Sequence, residues 1–171
     1  MTLTPLATEA LAVLRRIAAQ HAHPGLASGF NAEDMVLIDL IGRHGLPVRV
    51  FAPNTGPLEE IHTLIDRVRD YYGLPIAIYR SDAAASGVNA WITGRRAQST
   101  MDYGAVPEPF DPLHSLPTFS PLIDWSDEDV LTYLRGHGVP YNPLHDLALS
   151  QSVVHAGART GEDARVAGLI R

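Results

Sequence analysis

No cysteine occurs among the 171 residues. Disulfides, thiolate metal sites, cysteine-ligated iron–sulfur clusters and cysteine nucleophiles are therefore all excluded. Positive charge is scarce as well. The 13 lysines and arginines stand against 19 aspartates and glutamates, for a net charge of −6. That balance argues against nucleic acid as a partner, which needs a positive field, but still permits a local basic cluster that holds one small anion. Long apolar runs are missing too: none approaches the ~20 residues of a membrane span, so no membrane association is expected. The opening stretch, Met1-Thr-Leu-Thr-Pro-Leu-Ala-Thr-Glu-Ala, lacks a basic start and carries an early acid, unlike a secretory signal. The expected location is the cytoplasm. Internal repeats and low-complexity tracts are also absent.

The remaining composition, 46% hydrophobic and 19% charged, is that of an ordinary globular protein. The length suits a single domain over residues 1–171, large enough to bury roughly two-thirds of its unfolded surface. Thr4 and Pro5 form a cap and a first helical position, and Leu11, Leu14, Ile17 and Ala18 recur at helical spacing, giving an N-terminal helix within residues 1–22. Gly25–Phe30 reads as a short buried strand entering a turn. Glu33 and Asp34 open a helix that carries Met35, Val36, Ile38, Leu40 and Ile41 and stops near Gly45. Strands are expected at Val48–Phe51, Pro75–Tyr79 and Ala90–Thr93, with a helix from Leu58 to Tyr72. Residues 100–118 show no period and read as a loop. Ser126 with Asp129 three positions on marks another helix start, and Gly136, Gly138 and Pro140 mark its end. The tail, 150–171, is weakly patterned and expected to be only partly ordered. Strands alternating with helices, and strands that are almost wholly apolar, predict an α/β fold. Its core would be a three-layer, mostly parallel twisted sheet of about five strands with helices on both faces.

In such a sheet, ligands collect beyond the carboxyl ends of the strands. Three segments belong there. Ser28-Gly-Phe-Asn-Ala-Glu-Asp34 is a small, hydroxyl-bearing turn opening a helix. It offers backbone N–H groups and a positive dipole end to a phosphate, or it is only a strand-to-helix turn with acids at the helix start. Pro53-Asn54-Thr55-Gly56 offers hydrogen-bonding groups and a glycine that lets a ligand approach the backbone, in an otherwise ordinary turn composition. Thr93-Gly94-Arg95-Arg96-Ala97-Gln98-Ser99 sets two adjacent arginines at a strand end in an acidic protein. Arginine matches phosphate and sulfate oxygens in bidentate fashion, though a solvated basic turn paired to surface acids fits equally well. His21 and His23 have no third ligand in view, so no metal site is expected. His145-Asp146 is either an acid/base pair or a structural turn. No Gly-x-Ser-x-Gly elbow supports a serine triad.

Together these segments resemble the sulfate-nucleotide reductases of assimilation, which act on adenylyl sulfate (APS) or its 3′-phosphorylated form (PAPS). They belong to the Rossmann-like adenine-nucleotide α-hydrolase superfamily. The family's phosphate loop, Ser-Ser-Phe-Gly/Gln-Ala-Glu-Asp-Met, is similar to Ser28-Gly29-Phe30-Asn31-Ala32-Glu33-Asp34-Met35. Its Leu-Asp-Thr-Gly corresponds to Pro53-Asn54-Thr55-Gly56, without the aspartate charge. Its Gly-Leu-Arg-Arg-x-Gln-Ser corresponds to Gly94-Arg95-Arg96-Ala97-Gln98-Ser99, one residue shorter. Residues 121–146 match best, and Gly161-Glu-Asp-Ala-Arg165 resembles the C-terminal Gly-Glu-Asp-x-Arg. The resemblance implies an adenine nucleotide or sulfo-nucleotide ligand. Ser28 and the amides of residues 29–32 would face phosphate, Thr55 and Gly56 the nucleotide, and Arg95 and Arg96 the sulfate end.

The departures bear on function. Cluster-bearing members carry a Cys-Cys pair and a basic segment between the third strand and the tryptophan strand. Here only Ser81–Asn89 joins Arg80 to Ala90. The later Cys-x-x-Cys position falls near Val154–Gly157, and the family's C-terminal catalytic cysteine is missing. Formation of an S-sulfocysteine, and its turnover by thioredoxin or glutaredoxin, has no nucleophile among these residues, and no cofactor is expected. Three functions stay open. The first is a nucleotide-binding, reductase-dead relative, alone, as a homo-oligomer or with a sulfur-assimilation partner protein. The second is an enzyme that hydrolyses or transfers at the phosphosulfate or α-phosphate, with Arg96, His145 or Asp146 as catalytic candidates. The third is a structural subunit without a ligand.

Overall fold

The computed structural model describes residues 2–53, 59–79, 87–97 and 116–142. The tail after 142, the turn at 54–58 and the segments 80–86 and 98–115 lie outside that range. So do the expectations placed on Asn54, Thr55, Gly56, Gln98, His145 and Asp146.

Helix α1 spans Pro5–Gln20. It starts where the sequence predicts: the Thr4 hydroxyl accepts from the Ala7 N–H, and Pro5, which has no N–H to leave unpaired, sits in the first turn. Strand β1 is Pro24–Ala27, and α2 runs Ala32–Arg43 behind an Asn31 cap that accepts from the Asp34 N–H. Strand β2 (Arg49–Pro53), helix α3 (Glu59–Tyr72) and strand β3 (Ile76–Tyr79) follow, then β4 (Ala90–Ile92). The two-residue β5, Thr118–Phe119, precedes α4, Asp127–His137. Ser126 and Asp129 cap α4 reciprocally, and Gly138 ends it in the left-handed conformation that glycine adopts without a Cβ penalty.

The strands form one parallel sheet in the order β3-β2-β1-β4-β5. The chain steps outward from β1 through β2 to β3, then crosses back to β4 on β1's other side. The direction of winding therefore reverses between β1 and β4, and a crevice opens beyond their carboxyl ends at such a reversal. Gly25 sits opposite both Arg49 and Trp91, which fixes the register across the three central strands.

Side chains alternate across the sheet. Leu26, Val50, Ala52, Ile76 and Ile92 join buried residues of all four helices in one large core. Phe51, Trp91 and Val88 form a second cluster on the other side of the strands. A Cβ on Gly25 would lie 3.1 Å from both the Phe51 and the Trp91 ring, so even a methyl here would press the two rings aside by a few tenths of an ångström. Packing thus covers both faces of the sheet, as almost wholly apolar strands require.

One strand departs from the sequence reading. Thr118 was expected to end a loop and Phe119 carried no expected element, yet the two pair with β4. Trp91 N–H donates to the Pro117 carbonyl and Thr93 N–H to that of Phe119. Two residues carry no periodicity, so only the neighbouring strand reveals them.

Candidate functional site

The crevice between β1 and β4 is walled by two turns, residues 28–31 and 93–97. The two meet at the first turn of α2. A Cβ on Gly94 would sit 2.7 Å from Asp34 Oδ1 and 3.0 Å from Glu33 Cβ. Glycine is what allows the β4 turn to press against the α2 N-terminus. Strand β2 runs parallel to β1 and delivers the chain to the same edge at Pro53, the first residue of the expected Pro53–Gly56 segment.

In the first turn, Ser28 is buried and Gly29 is exposed. Phe30 lies buried beneath them with φ at +58°, in the left-handed region that costs a bulky residue on the order of 1 kcal/mol. The Phe30 N–H donates to Ser28 Oγ at 3.0 Å. The Asp34 carboxylate reaches back from α2 and accepts from the Gly29 N–H at 2.8 Å and from the Ser28 hydroxyl at 3.3 Å, both at Oδ2. Asp34 is only 5% exposed. Burial, opposed by the Gly29 hydrogen bond, reinforced by the neighbouring Glu33 charge and opposed again by Ser28, raises its pKa to about 7.

The second turn divides its two arginines. Arg95 is exposed at the crevice rim, its N–H held by Thr93 Oγ1. Arg96 points inward. Its Nε and Nη2 donate to Glu33 Oε1 at 3.0 and 2.8 Å, its Nη1 to the Trp125 carbonyl at 3.2 Å, and its Nη2 also to Asp127 Oδ1. The guanidinium was expected to face an anion. Instead, it ties the β4 turn to the starts of α2 and α4, because two protein carboxylates already hold it. Burial works against its charge, but the hydrogen bonds and attraction of Glu33, then of Asp127, outweigh that and raise its pKa. Trp125 and Asp127 were absent from the sequence-derived set. The only local signal for Asp127 was its place in the first turn of a capped helix. The Ala97 N–H, donating to the Ile123 carbonyl at 2.8 Å, adds a backbone tie.

At the opposite end of α2 a second polar knot forms that the sequence did not suggest. Asp39, fully buried, accepts from Arg43 Nε at 2.7 Å, the Tyr72 hydroxyl at 2.5 Å and the Tyr133 hydroxyl at 2.8 Å. Burial first, then the hydrogen bond to and the charge of Asp39, raise the pKa of both tyrosines, so they remain donors. This knot joins α2, α3 and α4 far from the crevice.

A thiolate-ligated iron–sulfur cluster does not fit this chain. It has no cysteine, and among the described residues no group of three or more His, Cys, Asp or Glu side chains could hold a metal. No described helix is long and apolar enough to cross a membrane.

Residues 83–151 match the phosphoadenosine phosphosulfate reductase domain. The adenosine 5′-phosphosulfate reductase of Burkholderia cepacia is 32% identical, the match covering 90% of this chain and 78% of that enzyme. The adenosine 5′-phosphosulfate reductase of Allochromatium vinosum is 33% identical over 70% of this chain, which spans only 62% of that relative. The fold is similar to the crystal structure of phosphoadenylyl-sulfate (PAPS) reductase from Candida auris in a phosphate complex. The TM-score is 0.66 at 20% sequence identity, covering 86% of this chain and 94% of the other.

Proposed function

This chain belongs to the PAPS/APS reductase family of sulfate assimilation, and from that premise we propose that it binds an adenine nucleotide or sulfo-nucleotide without reducing it. The ligand is adenylyl sulfate, its 3′-phosphate form or AMP. The observation that carries the reading is the contact of Gly94 with the α2 N-terminus. It brings the Ser28–Asp34 turn and the Arg95 rim to one crevice at the winding reversal of the sheet.

In this reading the Gly29 amide, the Ser28 hydroxyl and the positive end of the α2 dipole receive the α-phosphate. Arg95 sits at the rim, where a sulfate would project. Arg96 acts through Glu33 and Asp127 by holding the two turns together. Asn54, Thr55, Gly56 and Gln98 complete the nucleotide contact from outside the described residues. With no sulfur nucleophile among its residues, the chain forms no S-sulfocysteine.

Isothermal calorimetry with adenylyl sulfate and AMP tests the binding. A saturable, one-site isotherm for either nucleotide is the expected result. No heat and no competition at millimolar ligand would end the proposal. Sulfite release from adenylyl sulfate with reduced thioredoxin is expected to be undetectable, and cysteine-independent sulfite production would refute the reductase-dead half.

A further inference from the structure

The seat that the ligand's phosphate needs is already taken by a side chain of the protein. The Gly29 N–H of the β1 turn donates to Asp34 Oδ2 at 2.8 Å. The Ser28 hydroxyl donates to the same oxygen. The other oxygen, Oδ1, lies against Gly94, within 2.7 Å of where a Cβ would be. A carboxylate therefore plugs the meeting point of the two turns, held by the same donors that would hold a phosphate oxygen. It is 5% exposed, and the close Gly94 backbone leaves it little room to swing aside.

We propose that Asp34 sets ligand affinity in this crevice by acting as a resident anion: a phosphate or phosphosulfate takes the Gly29 and Ser28 donors only when the Asp34 carboxyl gives up its charge. This inference rests on the nucleotide-binding reading above and deepens it. Two negative groups sharing one pair of donors at close range cannot both stay ionised in a poorly solvated site. Ligand binding is therefore coupled to uptake of one proton.

The other groups around Asp34 do not remove that conflict. On α2 itself the Glu33 carboxylate is a second negative charge, and it is bound to Arg96. From the β4 turn come Gly94, which has no side chain, Arg95 at the rim and Arg96. The Arg96 guanidinium is committed to Glu33, Asp127 and the Trp125 carbonyl. From the start of α4 comes Asp127, a further carboxylate, held by Arg96. The α2 N-terminal dipole favours both the carboxylate and the ligand anion and so does not choose between them.

Because Asp34 titrates near neutrality, the coupling falls in an accessible range. With a carboxyl pKa of about 7 in the free protein and a neutral carboxyl in the complex, affinity drops about tenfold from pH 6 to pH 8. Proton uptake on binding rises over the same interval from near zero to about 0.9.

The test uses adenylyl sulfate, whose phosphosulfate oxygens are strong acids and do not titrate in this range. Titration calorimetry at pH 6 and pH 8, in two buffers of different ionisation enthalpy, gives both affinity and proton uptake for the wild type and for Asp34→Asn. Asparagine keeps the size and an acceptor for Gly29 but carries no charge. The expected wild type binds about tenfold more weakly at pH 8 and takes up close to one proton there. The expected variant binds equally at both pH values, takes up no proton and is at least tenfold tighter than wild type at pH 8. Wild-type binding that is unchanged between the two pH values, with no proton uptake, overturns the inference whether or not the variant folds. So does a variant that keeps the wild-type pH profile. Absence of binding by wild type and variant at both pH values overturns the nucleotide reading itself, and this inference with it.

Discussion

Replacing Arg96 by alanine is expected to destabilise the fold strongly rather than merely weaken ligand binding. The Arg96 side chain is 2% exposed and its partner Glu33 6%, so truncation leaves Glu33 as a buried carboxylate with no counter-charge. Removing one partner of a buried ion pair costs about 3–5 kcal/mol, against a total stability of about 5–15 kcal/mol for an ordinary domain. Asp127, 21% exposed, turns toward water more easily and adds little. The Trp125 carbonyl also loses a donor. Urea unfolding followed by tryptophan fluorescence suits the assay, because Trp91 lies on β4, packed with Phe51 and Val88, and the Trp125 carbonyl accepts from Arg96. The midpoint is expected to fall by about 3 kcal/mol equivalent with an unchanged slope. A double variant, Arg96→Met with Glu33→Leu, removes both charges and is expected to recover at least half of that loss. Should Arg96→Ala unfold within about 1 kcal/mol of wild type and lose only ligand affinity, the guanidinium is a ligand contact and the clamp is wrong.

Three further outcomes follow from the same geometry. An aspartate whose folded pKa is raised from 3.8 to about 7 binds more protons folded than unfolded. Its burial is thus harmless in acid, and stability falls as pH rises from the unfolded value through the folded one. Between pH 5 and pH 8 the loss is on the order of 2 kcal/mol. Asp34→Asn is expected to remove it, read as the wild-type-minus-variant difference in thermal midpoint across that range. A variant difference that does not change with pH contradicts the assignment. Gly94→Ala would force a methyl to 2.7 Å from Asp34 Oδ1 and 3.3 Å from the Asp34 backbone nitrogen. A loss of about 1–3 kcal/mol in denaturant unfolding is expected, together with weaker nucleotide binding; wild-type values for both would show that the turns do not touch. Tyr133→Phe deletes one of the donors to Asp39, for about 1–2 kcal/mol of stability with ligand affinity unchanged, and an altered affinity would refute the separation of knot and crevice.

What could be read in the sequence was what is local. The helix starts at Thr4-Pro5 and Ser126…Asp129 are settled within a few residues by side chains capping nearby amides, and so were visible; the start of α2 showed in its acids Glu33 and Asp34, but not in its Asn31 cap. The four longer strands announced themselves by apolar runs, and the placement of the 28–34 and 93–97 turns at one sheet edge followed from parallel alternation. Strand β5 did not, because two residues owe their conformation to the hydrogen bonds of β4. The direction of Arg96 was hidden for a similar reason. Its partners lie 63 and 31 positions away, and no spacing distinguishes an arginine that meets a ligand from one that meets a buried glutamate. Asp39 left one trace, a charge inside the apolar run Met35–Ile41, but its tyrosine partners come from two other helices. Asp34 was visible as a helix-start acid, while its reach back to the Gly29 amide was not.

Helix α4 supplies none of the residues first singled out for ligand contact, yet it grips α2 at both ends. Asp127 holds the Arg96 that holds Glu33, and ten residues' length farther along, the His137 carbonyl accepts from Arg43 beside the Asp39 knot. A rod fixed at two points cannot tilt without moving the turn fastened to its tip. The Ser28–Asp34 turn is therefore stiff only while α4 stays docked, and any event that loosens this helix is felt, through α2, as slack where the two turns meet.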